Sequence, residues 1–481
     1  MDGSTTTRVR RDLAPVVLTF GVLLYVLRVV GAVWRSDLAP FFPDSLSYVA
    51  VAQRGPFDAD FWFGERPVGT PLVLWLCGND IRLFVLIQTL VYAVGVALLC
   101  GTLLRIISHR AIGWITVSFV AAVAAQPRFG IWHLEVLSES LGLGLGITSL
   151  ALWLRVVDRP RRSAVIAAVT TTSIWAATRD SHALVAGIVA VGILVAARRC
   201  SSETRQGRDL ARTLRRSAAA LTLVIVYVIG AQAASERNQY PPFNNIGLRI
   251  LPDESMTESF AGRGMPLDDA VRARTGADTW DDDAAFLRSP DLADLRTWVR
   301  GSGQLVQMTS LLVDADFWLR TTADVLPSSL AYRFGDYDRF GVRERLPDRL
   351  FWFEGVRTSA AFGTLAALSG AALVALARLS RRRAAVFGLA ALACAFDIYV
   401  SATTDAVEVL RHLIGPNLRF QVVGLALLGV ATDAVVGHRS DRRMTPRPVV
   451  ERRRVAPSTA LALGSAAIGV FIAWVGLETR S

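Results

Sequence analysis

The sequence of 481 residues contains no lysine, and all 52 of its basic residues are arginine. Its four cysteines, Cys77, Cys100, Cys200 and Cys394, form no C-x-x-C pair. This usage argues against a disulfide-stapled module and against a cysteine zinc site. The sequence also lacks a Walker phosphate-binding loop and an internal repeat, which argues against an ATP-driven pump and against a transporter built from inverted repeats.

The formal net charge is +11, but the position of the arginines argues against a nucleic-acid partner. They cluster in connections between long apolar runs, as orientation in a membrane requires. Hydrophobic residues make up 52% of the chain, and the runs have the length of membrane spans, about 17 to 25 residues. Because an open sheet would leave backbone hydrogen bonds unsatisfied in lipid, we expect an all-α integral membrane protein.

The apolar runs predict about eleven transmembrane helices, the first of them a retained anchor rather than a cleaved signal peptide. The chain then divides into a transmembrane core at 1–234 with a long first outer loop at 35–81, a mostly helical outer segment at 235–357, and C-terminal transmembrane helices at 358–481. The predicted spans are 13–34, 82–104, 111–126, 138–156, 163–178, 183–198, 217–234, 358–377, 384–403, 420–437 and 457–476.

The arginines also predict which side of the membrane each connection faces. When the N-terminus is placed inside the cell, the arginine-rich connections fall on the inner side, among them "RVVDRPRRS" and "RLSRRR". The short outer loops contain only Arg128, Arg179, Arg411 and Arg419. This asymmetry follows the positive-inside rule and places the segment 235–357 outside.

Ionisable residues of both signs fall at the membrane edge on that outer side. The first outer loop contains Asp44 in "PDSLSY" and Arg66 in "ERPVGTPL". The next outer loops contain Glu139 in "LSES" and the pair Arg179 and Asp180 in "TRDSH". Ionisable groups near membrane depth are functional candidates, so we expect these loops to converge on one polar site.

The last outer loop contains "DAVEVLRH", which is predicted to be helical. On a helix Asp405, Glu408 and His412 would share a face, with Arg411 at its edge. The guanidinium of Arg411 is suited to bidentate contact with a phosphate. The outer histidines show no metal-ligand spacing, so neither a metal nor another cofactor is predicted.

Together these motifs resemble the GT-C glycosyltransferases, which include protein O-mannosyltransferases, aminoarabinose transferases and arabinosyltransferases. The resemblance rests on "PDSLSY", "RPVGTPL", "LSES" and "EVLRH", in their order along the chain and on one side of the membrane. It is best over the first 235 residues. This sequence departs from many members in having Asp44 without an adjacent second acid, and in placing its polar segment between spans seven and eight.

The resemblance implies a membrane glycosyltransferase that moves a sugar from a polyprenyl-phosphate carrier to a glycan, lipid or protein acceptor of the cell envelope. Asp44 would be the general base, the reaction would invert the anomeric centre, and no metal would be required. The enzyme would lie in a bacterial inner membrane, in contact with membrane lipids, with its active site facing the periplasm. The candidate substrate-binding residues are Arg66, Glu139, Arg179, Asp180, Asp405, Glu408, Arg411 and His412. Of these, Arg66, Glu139, Glu408, Arg411 and His412 lie in motifs that carry the resemblance, and the others are candidates from their place in the outer loops.

The residues leave other interpretations open. Asp44 could N-cap the helix that follows it, Glu139 could interact with a helix dipole, and Asp180 could cap the sixth span. The chain could instead be a transporter or flippase of a lipid-linked saccharide, which would favour charged residues at mid-span depth. A third possibility is a non-catalytic protein of envelope assembly that binds its partner through the segment 235–357.

Overall fold

The computed structural model describes residues 13–34, 42–200, 204–332 and 356–444. The regular secondary structure of these residues is helical, and no β-strand occurs among them. The all-α prediction is therefore confirmed for this part of the chain. The eleventh predicted span, 457–476, lies outside the described residues.

The helices are numbered in chain order, and α2, α3 and α4 occupy the long first loop that the sequence predicted. The first eleven are α1 (Leu13–Trp34), α2 (Pro43–Arg54), α3 (Ala59–Phe63), α4 (Gly69–Leu76), α5 (Ile81–Ile106), α6 (Arg110–Ala124), α7 (Pro127–Gly130), α8 (Ser138–Asp158), α9 (Arg162–Ala176), α10 (Asp180–Arg199) and α11 (Arg205–Ala234).

The remaining helices comprise those of the polar segment and the C-terminal apolar helices. They are α12 (Tyr240–Asn245), α13 (Glu254–Ala261), α14 (Asp269–Arg272), α15 (Asp281–Arg288), α16 (Ala293–Trp298), α17 (Gln304–Val313), α18 (Ala315–Ala331), α19 (Ser359–Leu379), α20 (Arg381–Thr403), α21 (Val409–His412) and α22 (Ile414–Met444).

Seven helical segments of the described chain are long and apolar enough to cross a membrane, which indicates a multi-pass membrane protein. They are α5, α8, α10, α11, α19, α20 and the segment Val409–His438, which runs from α21 into α22. The predicted number of eleven spans is not established by this structure. One reason is that α9 has only 15 residues, or about 22 Å, against an apolar bilayer core of about 30 Å.

An eighth span results if α6 and the residues after it form one broken span. The helix Arg110–Ala124 and the segment Pro127–Leu134 meet at an angle of 57°. The bend falls where Pro127 starts a new helical turn after the extended residue Gln126. Proline lacks the N–H group that would continue the preceding helix, so a break at this position is expected.

Two helices of the core, α5 and α8, approach each other closely. A Cβ atom built on Gly144 would lie 2.8 Å from the Cα atom of Tyr92, and one built on Gly95 would lie 2.7 Å from the carbonyl oxygen of Gly144. Small residues at helix interfaces permit such approach between membrane helices. The contact fixes the start of α8, where the candidate Glu139 lies.

The outer segment at 235–357, here called the polar segment, has a hydrophobic core of its own in its described part. Phe243, Phe260, Phe286 and Trp318 are all buried in this core. Tyr399 of α20 packs against it, and its hydroxyl donates a hydrogen bond to the carbonyl oxygen of Leu311 at 2.5 Å. The segment is therefore a folded unit that rests on the end of α20.

Several membrane helices have an arginine in the last turn, and two have an acid in the first turn. Arg105, Arg155 and Arg378 lie in the last turns of α5, α8 and α19. The acidic residues Glu139 and Asp180 lie in the first turns of α8 and α10. The predicted orientation requires arginines in these last turns, and the orientation itself stays a prediction.

Candidate functional site

A cavity of about 270 Å³, here called the polar cavity, lies where α8 and α10 begin and where α11 and α20 end. The structure brings to its wall all nine residues that the sequence singled out, from segments far apart in the chain. They are Asp44, Arg66, Glu139, Arg179, Asp180, Asp405, Glu408, Arg411 and His412. Their chemical roles stay predictions.

Asp44 lies in the first turn of α2, whose first residue is Pro43. Proline is favoured at this position because its missing N–H group would have no partner there. The N-cap residue is Phe42, and no side chain caps this helix, so the capping role that Asp44 could have had is not observed. Its carboxylate instead faces the polar cavity.

Three guanidinium groups surround the carboxylate of Asp44. Arg411 Nη2 lies 2.5 Å from Oδ2, Arg237 Nη2 lies 3.3 Å from Oδ1, and Arg66 Nη2 also bonds to Oδ1. Arg66 is held in turn by the hydroxyl of Ser47, one helical turn after Asp44. The three arginines come from α21, from the chain just after α11 and from the loop before α4.

This environment fixes the charge of Asp44. Burial alone raises the pKa of its carboxyl group, but the charges of Arg411 and Arg66 outweigh that effect and hold the pKa well below its ordinary value. Asp44 is therefore ionised at any physiological pH. A carboxylate held in this way is a weak base, because protonation would sacrifice its ion pairs.

Arg411 is the centre of the charge network. Its side chain is only 5% exposed, and besides Asp44 it meets two more acids. Nη2 lies 2.7 Å from Glu408 Oε2, and Nε lies 3.3 Å from Glu139 Oε1. One guanidinium thus joins the starts of α2, α8 and α21, which fixes their relative positions around the cavity.

The helix predicted through Asp405 and Glu408 is wrong. The helix α20 ends at Thr403, and α21 begins only at Val409. The carboxylate of Asp405 accepts a hydrogen bond from the N–H group of Val407 at 3.0 Å, a local turn that competes with helix formation. Glu408 then adopts φ +53°, a left-handed conformation that non-glycine residues rarely hold.

Asp405 links the membrane helices to the polar segment. Its Oδ1 atom accepts a hydrogen bond from Asn244 Nδ2 at 2.9 Å. Burial raises the pKa of Asp405, and the hydrogen bonds from Val407 and Asn244 offset that rise only in part. The site therefore lowers the pKa of Asp44 and raises the pKa of Asp405.

Arg179 is the cavity arginine with the weakest ion pairing. Its Nη1 atom lies 3.8 Å from Glu139 Oε1, which is beyond hydrogen-bond distance. No residue in the described ranges accepts a hydrogen bond from its guanidinium. Asp180, beside it, accepts a hydrogen bond from the N–H group of Ser181 at 2.8 Å. It is the first residue of α10 and not its N-cap, which is Arg179, so the capping role left open for Asp180 is not observed.

Of the three outer histidines, only His412 lines the polar cavity. His182 stacks on Trp175 with ring centroids 4.7 Å apart. His133 is fully buried and bonds to the hydroxyl groups of Tyr25 and Ser140. Within the described residues, no group of three or more His, Cys, Asp or Glu side chains is arranged to hold a metal ion.

Arg419 does not lie in an outer loop near the headgroups, as the predicted span 420–437 implied. It lies inside α22, only 8% exposed, and its Nε atom donates to Asp397 Oδ2 of α20 at 3.1 Å. The predicted span starts at residue 420, whereas α22 starts at Ile414. The prediction placed Arg419 outside the span because it is charged, but its ion pair with Asp397 allows it to lie buried within the helix. The pair lines a second, mostly apolar cavity of about 210 Å³.

Sequence reasoning missed several residues of the polar cavity. Tyr48 follows Asp44 by one helical turn, and its ring lies 4.7 Å from the guanidinium of Arg66. The i, i+4 spacing could have identified it. Arg237, Tyr240 and Trp280 come from the polar segment, where no motif set them apart from other exposed residues.

No protein-family model and no curated protein sequence matches this chain. Among solved structures, the chain is similar to the archaeal oligosaccharyltransferase AglB from Archaeoglobus fulgidus, in complex with an inhibitory peptide and a dolichol-phosphate. The TM-score is 0.44 at 12% sequence identity, and the alignment covers 96% of this chain and 54% of that chain. The chain thus spans about half the length of AglB, and a TM-score at this level does not establish a common fold.

Proposed function

We propose that this protein is a membrane glycosyltransferase that transfers a sugar from a polyprenyl-phosphate carrier to an acceptor hydroxyl, with Asp44 as the general base. The observation that carries the proposal is the convergence of arginines from three parts of the chain on one carboxylate in a cavity of a membrane helix bundle. A carboxylate suits the activation of a hydroxyl, and arginines suit a phosphate leaving group. The motif resemblance to the GT-C glycosyltransferases points to the same reaction.

The reaction is a single displacement at the anomeric carbon of the donor. The acceptor oxygen forms a bond to that carbon while the bond to the carrier phosphate oxygen breaks. The acceptor proton passes to Asp44, and the electron pair of the broken bond leaves with the phosphate, whose charge the arginines stabilise. One displacement inverts the configuration of the sugar.

The resting charge network has to rearrange for this step. In the structure Arg411 and Arg66 bond to Asp44, which makes it a weak base. An incoming phosphate competes with Asp44 for these guanidiniums and so restores its basicity. Arg179 is suited to make the first phosphate contact, because its present ion pair is long.

We assign the remaining cavity residues to substrate hydroxyls. Glu139, Asp180, Asp405, Glu408 and His412 line the cavity around the arginines and supply hydrogen-bond acceptors. The polar segment contributes to the same wall, which supports a role for it in acceptor binding. The arginines in the last turns of α5, α8 and α19 support a cavity that faces the periplasm in a bacterial inner membrane.

The test uses membranes that contain the wild type or Asp44→Asn at matched levels, supplied with radiolabelled polyprenyl-phosphate mannose or polyprenyl-phosphate arabinose. Label is followed into glycan, lipid and protein fractions. The loss of a general base predicts a decrease of about 10² to 10⁴ in transfer rate. Asp60→Asn is the matched control, because Asp60 is exposed, pairs with exposed Arg54 and does not line the cavity. Equal transfer by both variants would remove Asp44 from catalysis.

A flippase of lipid-linked saccharides is the second candidate, and the Asp397–Arg419 pair within the helices favours it. Proteoliposomes with a fluorescent lipid-linked sugar distinguish the two candidates. Translocation that depends on this pair and persists in Asp44→Asn would support a flippase. Transfer that depends on Asp44 without translocation would support the glycosyltransferase.

A further inference from the structure

Trp280 is the most exposed aromatic side chain at the wall of the polar cavity, with 59% of its surface accessible. Its ring meets that of Tyr240 edge to face, with centroids 5.2 Å apart and planes at 72°. Exposure of an indole to water is unfavourable, and large exposed apolar side chains at a cavity often mark a binding surface. Among the described residues, none accepts a hydrogen bond from the indole N–H.

The position of Trp280 is fixed by the chain around it. Its backbone N–H group donates to Asp278 Oδ1 at 2.7 Å. The preceding residue, Thr279, is fully buried and donates its N–H group to Asn244 Oδ1 at 2.9 Å. Asn244 in turn bonds to Asp405 in the membrane-side wall. The backbone that carries the indole is therefore fixed at the cavity wall before any ligand arrives, which lowers the entropic cost of binding.

The cavity that the two rings line also has amide and carboxylate groups in its wall. Asn238, Asn244, Asp405 and Glu408 line the same cavity. A saccharide ring presents an apolar C–H face and a rim of hydroxyls, and an aromatic face flanked by amides and carboxylates matches both. An apolar peptide side chain would match the aromatic rings but leave the polar rim unused.

We propose that Trp280 and Tyr240 form a stacking platform for a sugar ring of the acceptor, which makes the acceptor a saccharide. The assignment of this sugar to the acceptor rests on the proposed function, whereas the sugar site itself does not. The platform belongs to the polar segment rather than to the apolar helices that would receive the lipid carrier. The segment 235–357 would then select the acceptor, while the membrane helices bind the donor.

The test measures saccharide binding to the full-length protein in lipid nanodiscs by saturation-transfer NMR, with mannobiose and an arabinofuranose disaccharide as probes. We expect binding by the wild type, a loss of at least tenfold in affinity for Trp280→Ala and a smaller loss for Trp280→Phe, which keeps an aromatic face. Phe57→Ala is the control, because Phe57 is fully exposed and does not line the cavity. Equal binding by Trp280→Ala and the wild type would overturn the proposal, as would tryptophan-dependent binding of an apolar peptide but of neither disaccharide.

A second arm separates this inference from the proposed function. Asp44→Asn is expected to bind the disaccharides as the wild type does while losing transfer. Binding that depends on Trp280 in a protein without transfer activity would support the sugar site and contradict the glycosyltransferase. In the transfer assay Trp280→Ala is expected to raise the KM for the acceptor, and a change confined to the KM for the donor would overturn the acceptor assignment.

Discussion

Arg411 Nη2 lies 2.5 Å from Asp44 Oδ2, although 367 positions separate the two residues in the sequence. The same guanidinium reaches Glu408 and Glu139, so it neutralises acids from three separate parts of the chain at once. Asp44 does not accept a proton without weakening this network. If the donor phosphate binds Arg411 in place of Asp44, donor binding makes Asp44 a stronger base, and the two events are therefore linked.

The first prediction concerns the geometry of Arg411. Arg411→Lys keeps the charge but supplies a point cation instead of a planar fork, so it does not hold Asp44, Glu139 and Glu408 together. We expect transfer to fall at least tenfold, with an apparent unfolding temperature below that of the wild type. The control Arg54→Lys changes an exposed pair and is expected to leave both unchanged. Full activity in Arg411→Lys would show that the planar fork of the guanidinium has no role.

The second prediction concerns donor binding. Arg179 has only a 3.8 Å ion pair, and none of the described residues accepts a hydrogen bond from its guanidinium. If Arg179 meets the carrier phosphate, Arg179→Gln should raise the KM for the polyprenyl-phosphate sugar about tenfold or more, since charge-assisted hydrogen bonds contribute about 1.5 to 3 kcal/mol. The variant Arg320→Gln, at an exposed pair with Asp316, is the control. An unchanged KM would exclude Arg179 from the phosphate site.

The third prediction compares stability against pH for two acids of the cavity. The folded-state pKa of Asp44 is depressed, so its ionised form stabilises the fold above the unfolded pKa of about 3.9, and this stability is lost only as pH falls through the lower folded pKa. The folded-state pKa of Asp405 is raised by burial. Its contribution is complete below the unfolded pKa and is lost as pH rises through the folded pKa.

The two amide variants should therefore differ in sign. Asp44→Asn is expected to lower the unfolding temperature at pH 7, with the difference shrinking only below about pH 4. Asp405→Asn keeps the Oδ1 acceptor for Asn244 and Val407 but removes a buried charge. It is expected to raise the unfolding temperature at pH 8 and to lose that advantage toward pH 4. Parallel curves for the two variants would contradict the opposite shifts.

The sequence predicted the helical class because apolar runs of span length are visible without any tertiary contact. The ends of the helices were harder to place. Arg419 stands before the apolar run but inside α22, since Asp397 of another helix neutralises it. The turn at Asp405 was missed for a related reason. The carboxylate of Asp405 accepts a hydrogen bond from the N–H group of Val407, and Asn245 donates to the carbonyl oxygens of Thr403 and Thr404, contacts that the pattern of "DAVEVLRH" does not show.

The site residues could be predicted where they lie near the outer end of an apolar run. Asp44, Glu139 and Arg179 each stand at a helix start on the side that the arginine distribution marks as outer. Arg237 and Trp280 reach the same cavity only through the fold of the polar segment. That fold depends on a core of residues distant in sequence, such as Phe243 and Phe286, which no local pattern reveals.

The fourth prediction concerns the Asp397–Arg419 pair, which lies in the helices but not in the polar cavity. Arg419→Met leaves the carboxylate of Asp397, which is 1% exposed, without its partner, and loss of one member of a buried pair costs about 3 to 5 kcal/mol. Replacement of both by apolar residues removes the unpaired charge and is often neutral. We therefore expect Arg419→Met to lower the unfolding temperature sharply and the double variant Asp397→Leu/Arg419→Met to restore it.

Transfer activity separates this structural role from a functional one. The pair bonds to none of the cavity acids or arginines in the described structure, so the restored double variant should transfer sugar at close to the wild-type rate. Asp433→Asn is the matched control, since Asp433 is a buried acid of the same helix that pairs with His109. A double variant that regains stability yet transfers no sugar would give Asp397 and Arg419 a part in the reaction, and the second cavity that they line would then belong to the active site.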